Sequence, residues 1–272
     1  MKFGVGISLY NPDDKAVAYL NSLKTIFSEI YVYDNTKDNT RYVACIDKSY
    51  EYSHTGENRG LSKGFNWFLD KSNSDNLDYL LILDQDSCYD IELIQNLMKE
   101  IEGFGIDNKV AIRACNAKAQ NIVDVDLPSE IVHTVEKVIS SGSFLCIDVI
   151  TKNGLRYDEN LFVDYVDHDF CKSILSKNLK IVCHNRFVLT QQLGYIYKGR
   201  VCHSPIRNYY ILRDLGYMNQ KHYSRFVVIL KTTYCLMKTI KSACFEDNTW
   251  PKIRYAVKGY IDFFMKKTGE YK

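Results

Sequence analysis

The chain has 272 residues, of which 46% are hydrophobic and 25% charged. That balance excludes global disorder and supplies a core for one large domain, or for one domain with an appendage. The net charge of +2 conceals an asymmetry: residues 221–272 hold eleven Lys or Arg against four Asp or Glu, so this tail is +7 and residues 1–220 are −5. An acidic body with a basic tail implies two surfaces for two kinds of partner.

In chain order, FGVGISL (3–9) predicts a first strand. Asn11 is expected to cap a helix, with Pro12 at its first position and Asp13 and Asp14 in the first turn, where carboxylates suit the helix dipole. Val17, Leu20, Leu23, Ile26 and Phe27 give that helix its apolar spacing. EIYVYDN (29–35) predicts a second strand ending in Asp34 and Asn35, and a short strand is expected near 50–54. GENRGLSKGFNWFLDK begins as a glycine-containing turn and becomes a helix. YLLILDQDS (79–87) then predicts a strand buried on both faces at Leu80, Leu81, Ile82 and Leu83. Alternation along that strand would aim Asp84 and Asp86 the same way, and a divalent cation would relieve their repulsion.

A helix over about 90–102 follows, then strands at 109–116 and 138–148 with a loop near 117–136 between them. A helix over 164–177 comes later, and from about 203 the chain reads as helical, aromatic and basic. Strands alternating with helices predict an α/β sheet with crossover connections. Such sheets bind ligands beyond the carboxyl ends of their strands, so Asp34 and Asp84 are expected to line one crevice.

The nine cysteines (45, 88, 115, 146, 171, 183, 202, 235 and 244) include no Cys-x-x-Cys pair. They read as reduced thiols of a cytosolic protein, mostly filling the core. The opening MKFGVGISLYNPDD lacks a signal-peptide pattern, and no apolar run reaches the roughly 18–20 residues of a spanning helix. The expected location is therefore cytoplasmic.

Two segments carry chemistry. Asp commonly marks turns, but Asp84-Gln85-Asp86 follows a buried strand, where two carboxylates suit Mg²⁺ or Mn²⁺ bridging the phosphates of a nucleotide. In LFVDYVDHDFC (161–171), Asp164, Asp167 and Asp169 interleave with apolar residues. They read either as acids favouring a helix N-terminus or as a general base with neighbours that set its pKa.

Taken together, segments along nearly the whole chain resemble family 2 glycosyltransferases of the GT-A fold, above all the rhamnosyltransferase-type branch. GISLYN resembles the opening strand, YDNTKDN the nucleoside-holding element, and ENRGLSKGFN the turn before the second helix. LILDQDS resembles the metal–diphosphate motif, and SSGSFL the acceptor-side strand. FVDYVDHDFC and HSPIRNYYILRD resemble the two downstream blocks. The resemblance implies a GT-A catalytic domain over 1–200 and a helical, basic, acceptor- and membrane-proximal region over 201–272. It implies donor contacts from Asn11, Asp34, Asn58, Lys63, Asp84 and Arg207, and a Mn²⁺ or Mg²⁺ held by Asp86 and Asp84. Asp167 takes the position of the base, with Asp164 beside it. Where relatives carry His-x-x-Gly, this chain has Gln191-Gln192-Leu193-Gly194, and His203 is the alternative metal ligand.

The implied reaction is direct displacement at an anomeric carbon with inversion. The expected donor is dTDP-rhamnose, with UDP-hexose or UDP-galactofuranose as alternatives. The expected acceptor is a growing cell-surface polysaccharide or lipid-linked glycan, with no nucleic acid involved. A rival reading, a metal-dependent sugar nucleotidyltransferase, calls for a Gly-rich basic loop near the N-terminus, where GISLYNPDDK is acidic. A non-catalytic lectin-like reading leaves Asp84, Asp86 and Asp167 without a purpose. Arg207 and Arg213 read as phosphate grips or as a solvated helix face. In the tail, Phe226, Leu230, Tyr234, Met237 and Lys241 trace one helical stripe, expected to pack as a helical subdomain. The tail lysines are expected to face an anionic bilayer, placing the protein peripherally on the inner face of the cell membrane.

Overall fold

β1 (Phe3–Leu9) is buried at all of its positions, and the computed structural model shows why. It pairs in parallel with β2 (Glu29–Asp34) on one side and with β4 (Tyr79–Asp84) on the other. The structure describes residues 1–87, 89–119, 129–191 and 194–272. These form two compact units. The first comprises the described residues of Met1–Arg59, Lys63–Tyr157 and Phe170–Gln191, and the second those of Gly60–Ser62, Asp158–Asp169 and Gln192–Lys272.

The first unit is built on one eight-stranded sheet. Besides β1, β2 and β4 it contains β3 (Glu51–His54), β5 (Val110–Ala119), β6 (Val132–Val135), β7 (Ser143–Cys146) and β8 (Lys180–Gln191), in the order β3-β2-β1-β4-β7-β5-β8-β6. β3, β2, β1 and β4 run parallel, whereas β7 is antiparallel to both β4 and β5. Its helices are α1 (Asp14–Ser22), α3 (Ile91–Phe104) and α4 (Ile147–Lys152), with most of α2 (Leu61–Ser74) and the later turns of α5 (Val166–Ser176). Tyr79 to Leu83 are buried because β4 lies between two strands at the centre of the sheet. The continuous apolar run has that physical origin.

Several local expectations are corrected. The cap of α1 is Asp13, whose side chain accepts the Ala16 N–H at 2.8 Å. Asn11 instead adopts φ 47° and donates its N–H to Thr36 Oγ1 at 2.8 Å, so Pro12 precedes the cap. The apolar spacing of that helix outlasts it: Leu23 falls in a 3₁₀ turn and Phe27 beyond it, yet both are buried. The expected strand at 138–148 is the shorter β7, followed directly by α4. The expected loop at 117–136 contains the end of β5 and all of β6, while residues 120–128 lie outside the described set.

β8 has no counterpart in the sequence reading. Its apolar pattern breaks at His184, Asn185 and Arg186, and there the pairing slips from Cys115↔His184 to Asn116↔Val188. A bulge thus hides a strand of 12 residues. His184, fully buried, lies 2.6 Å from Glu100 on α3.

The second unit contains a hairpin of β9 (Tyr195–Tyr197) and β10 (Arg200–Cys202) and three helices, α6 (Pro205–His222), α7 (Arg225–Ala243) and α8 (Thr249–Phe264). α6 is its centre, buried from Asn208 to Asn219 at most positions. Gly259 on α8 lets the two helices meet, since a Cβ there would stand 2.1 Å from the Tyr209 carbonyl oxygen. The stripe of Phe226, Leu230, Tyr234 and Met237 does not pack: all four are exposed, and α7 turns Val228, Thr232 and Ala243 inward instead. The tail's charge is also partly internal. Lys252 is fully buried against Glu246 and Asp247, and Lys258 and Lys267 both pair with Asp262. Among the described residues no helix is long and apolar enough to cross a membrane. Described cysteines 115, 146, 171, 183 and 202 are buried free thiols, whereas 45 and 244 are exposed.

Candidate active site

In the first unit the register places the candidate acids together. Leu9 of β1 stands opposite Asp34 of β2, and Ser8 stands opposite Asp84 of β4. Both carboxylates therefore end strands at the same edge, flanking β1. The chain reverses its direction of travel across the sheet at β1, which makes this edge the topological switch point where open α/β sheets bind ligands.

Asp84 is half-buried, with its N–H donated to Ser141 Oγ at 3.1 Å. Asp86 is exposed and belongs to a turn closed by the Ser87 N–H on the Asp84 carbonyl at 3.0 Å. Strand alternation therefore does not aim Asp86; the turn does. Gln85 fixes that turn, accepting the Tyr10 N–H at 2.7 Å and donating to the Tyr10 carbonyl at 3.0 Å.

Asp34 is buried and holds its own shell. Its Oδ1 accepts the Thr36 N–H at 2.9 Å, and its Oδ2 accepts the hydroxyls of Tyr42, at 2.7 Å, and Tyr52. Burial first, with the Asp34 charge adding to it, raises both phenols, so they remain donors. Nothing in the sequence reading singled out Tyr42 or Tyr52. Asn35 Oδ1 accepts the Arg59 N–H at 2.9 Å, Asn58 is half-buried, and Lys63 is exposed in the first turn of α2. Asn11 is exposed beside Thr36.

In the second unit, one carboxylate organises the acidic block. Asp214 Oδ2 accepts the backbone N–H groups of Phe162, Val163 and Asp164 at 3.0, 3.1 and 3.2 Å. Its Oδ1 accepts Arg213 Nε at 2.9 Å. Arg213 is fully buried, donates to the Gly269 carbonyl at 2.6 Å, and lies 5.1–5.8 Å from the rings of Phe162, Tyr209 and Tyr210. It is neither a phosphate grip nor a solvated residue. The opposite side of this segment is fixed by Gly60, at φ 82°, where a Cβ would lie 2.5 Å from the Phe162 carbonyl oxygen.

The segment so pinned presents its acids in three different states. Tyr165 sits at φ 62°, a costly conformation for a non-glycine residue, and turns the chain into α5. Asp169 is fully buried and paired with Lys221 at 2.6 Å and His222 at 2.7 Å, so it is structural. Asp164 accepts Arg207 Nε and a second guanidinium nitrogen at 3.3 Å each through Oδ1, while its buried Oδ2 has no partner among the described residues. Burial pushes the Asp164 carboxyl up to about 7; Arg207 pulls against this, and Asp214 and Asp167 add to it. Asp167 is half-buried in the first turn of α5, with Oδ1 accepting the His168 N–H at 2.8 Å.

His203 is half-buried, and burial together with the positive charge of Arg207 lowers its pKa, leaving a neutral imidazole able to ligate a metal. Among the described residues no three side chains of His, Cys, Asp or Glu converge on one point. Asp84 and Asp86 still offer hard carboxylate oxygens on an open edge, a set suited to a cation that takes its remaining ligands from phosphates and water. The Gln191-Gln192-Leu193 departure lies outside the described side chains. The residue that sequence reasoning missed is Asp214. It stands next to Arg213 in the same quoted block, so the pair Arg-Asp inside an aromatic helix was the available signal.

Comparison with solved structures shows the same fold. The chain superposes on the crystal structure of S. aureus TarS 1-349 with a TM-score of 0.54, at 16% identity over 97% of this chain and 72% of that one. It superposes on GalNAc-T7, crystallised with UDP, GalNAc and Mn²⁺, with a TM-score of 0.58, at 10% identity over 97% of this chain and 56% of that one. These likenesses show a GT-A fold, and the register puts Asp34 and Asp84 at the ends of strands flanking β1 in its sheet. In sequence, the glycosyl transferase family 2 model matches residues 5–133. The chain is also 27% identical to dTDP-rhamnosyl transferase RfbF of Shigella flexneri, over 93% of this chain and 90% of that protein. The family-model match and this relative together mark the chain as a nucleotide-sugar glycosyltransferase.

Proposed function

We propose that the enzyme transfers rhamnose from dTDP-rhamnose to a hydroxyl of a glycan acceptor with inversion at the anomeric carbon. The observation that carries the donor is the similarity to a dTDP-rhamnosyl transferase along nearly the whole of both chains. Asp84 and Asp86 would hold a Mn²⁺ or Mg²⁺ with the donor diphosphate. When bound, that cation supplies charge stabilisation to the departing nucleoside diphosphate.

The protein's own residues do the rest. Asp34 fixes Tyr42 and Tyr52 as the wall against which the nucleoside is read, and Asn11, Asn58 and Lys63 add donor contacts. Asp167, more accessible than the buried, Arg207-paired Asp164, takes the acceptor proton as the hydroxyl oxygen attacks and the bond to the diphosphate breaks. Arg207 is held by Asp164 and is a positioning residue in the free enzyme. The acceptor is a lipid-linked or cell-surface glycan, with the enzyme peripheral to the membrane.

A thermal-shift screen of dTDP, UDP and their sugar conjugates with Mn²⁺ tests the donor, because a ligand that binds only the folded state raises its apparent stability. Stabilisation by dTDP-rhamnose above UDP-hexoses supports the reading, and the reverse order overturns it. The anomeric configuration of the product, determined by NMR, decides inversion.

A further inference from the structure

α7 is apolar on two opposite faces, and only one of them is covered. Val228, Thr232 and Ala243 face the interior of the second unit. Phe226, Leu230, Tyr234 and Met237, spaced by three or four residues along the other side, are 71%, 53%, 66% and 58% exposed. A helix apolar all round is ordinarily buried. This outward ridge is rimmed by charge of a single sign: α7 contains Arg225, Lys231, Lys238 and Lys241 and no Asp or Glu. All four cations are exposed, and none forms an ion pair with a described residue, unlike Lys252, Lys258 and Lys267 further along; Lys231 does lie over the Tyr223 ring, 3.6 Å from its centroid.

We infer that the outward face of α7 docks the enzyme onto an anionic lipid surface. This deepens the membrane placement proposed above and rests on it, but relocates the contact from the C-terminal stretch to one helix. Charge complementarity selects the occupant. A second copy of the chain would bring the same cations, with no acid on α7 to meet them, against these, whereas anionic headgroups would neutralise them. Aromatic and aliphatic side chains on a convex helix, flanked by lysines, are the composition that lies in a bilayer interface. Each Lys or Arg near such a surface adds attraction that salt screens within a Debye length.

The test is co-sedimentation of the full chain with phosphatidylcholine vesicles, with and without phosphatidylglycerol, at low and high salt and in the absence of donor. Binding is expected only with phosphatidylglycerol and is expected to fall as salt rises. Lys231→Glu, Lys238→Glu and Lys241→Glu combined should weaken partitioning by at least about a hundredfold. Phe226→Ser, Leu230→Ser and Met237→Ser combined should weaken it at least about tenfold. Melting temperature and turnover of a short soluble acceptor should hold in both variants, which separates failure of docking from failure of the transferase reading. Should the ridge variant melt early, the lysine variant decides alone, since its three positions are exposed. No binding at low salt, or equal binding by the lysine variant and the wild type, overturns the inference. So does a ridge variant that converts an oligomer to a monomer by light scattering, which would make the ridge a contact between copies.

Discussion

At the end of β4, Asp84 and Asp86 stand half-buried and exposed, one residue apart, with water on hand to screen them. Around the start of α5 the acids are far drier, and the fold answers most of them: Asp169 with Lys221 and His222, Asp214 with Arg213 and three N–H groups, Asp164 with Arg207. A buried carboxylate must be neutralised or paired, so the second cluster largely spends its charge on its own architecture. An exposed carboxylate such as Asp86 costs the fold little and faces the solvent from which a ligand arrives. The first cluster is the one proposed for donor and metal. In the second, among the described residues, Asp167 and the unpartnered oxygen of Asp164 are the groups proposed for chemistry.

That contrast can be broken by substitution. Asp86→Ala should lower transfer by at least about 10³-fold with an unchanged melting curve, because its charge serves the ligand and not the core. A large fall in melting temperature would move Asp86 into the structural group. Asp167→Asn should reduce kcat on the order of 10²-fold or more with donor affinity retained, since an amide keeps the shape but accepts no proton. If Asp164→Asn is the crippled variant and Asp167→Asn is near wild type in kcat, the base has been misassigned.

Asp214→Ala should leave transfer beyond measurement for a different reason. It strands the buried Arg213 guanidinium and three N–H groups, a loss of about 3–5 kcal/mol in urea unfolding. Unfolding at the wild-type midpoint would show the second cluster to be less structural than drawn here.

The smallest effect is a pH dependence. The folded pKa of Asp164, about 7, lies above that of an unfolded aspartate, so between the two values the folded state binds the extra proton. Its contribution to stability is therefore full below about pH 4 and is lost as pH rises through 7. Wild-type stability should fall by about 2–3 kcal/mol from this group between pH 5 and 8, and Asp164→Asn should flatten that slope. Parallel slopes in chemical denaturation would contradict it.

The legible part of the molecule is the part whose local pattern and tertiary role agree. β4 was readable to the residue because a central strand needs an apolar run, and α3 because its apolar spacing and its cap coincide. β8 was hidden by its bulge and by the buried His184–Glu100 pair, a long-range contact that no window on the sequence reveals. The stripe on α7 was visible as a stripe, but spacing alone cannot say whether anything covers it. At the site, Asp84 and Asp34 followed from strand ends. Their surroundings did not, because Tyr42 and Tyr52 reach Asp34 across 8 and 18 residues of chain. The division of labour among Asp164, Asp167 and Asp169 depends on Arg207, 43 residues from Asp164, and on Lys221 and His222, 52 and 53 residues from Asp169.

The most direct measurement is calorimetric titration of dTDP, with and without Mn²⁺, into wild type, Asp86→Ala and Asp167→Asn. The acids at the end of β4 are proposed for the donor and the block at α5 for the acceptor proton. Asp86→Ala should therefore lose the Mn²⁺-dependent part of binding while Asp167→Asn keeps it. Retained Mn²⁺-dependent binding in Asp86→Ala, or its loss in Asp167→Asn, would contradict that assignment.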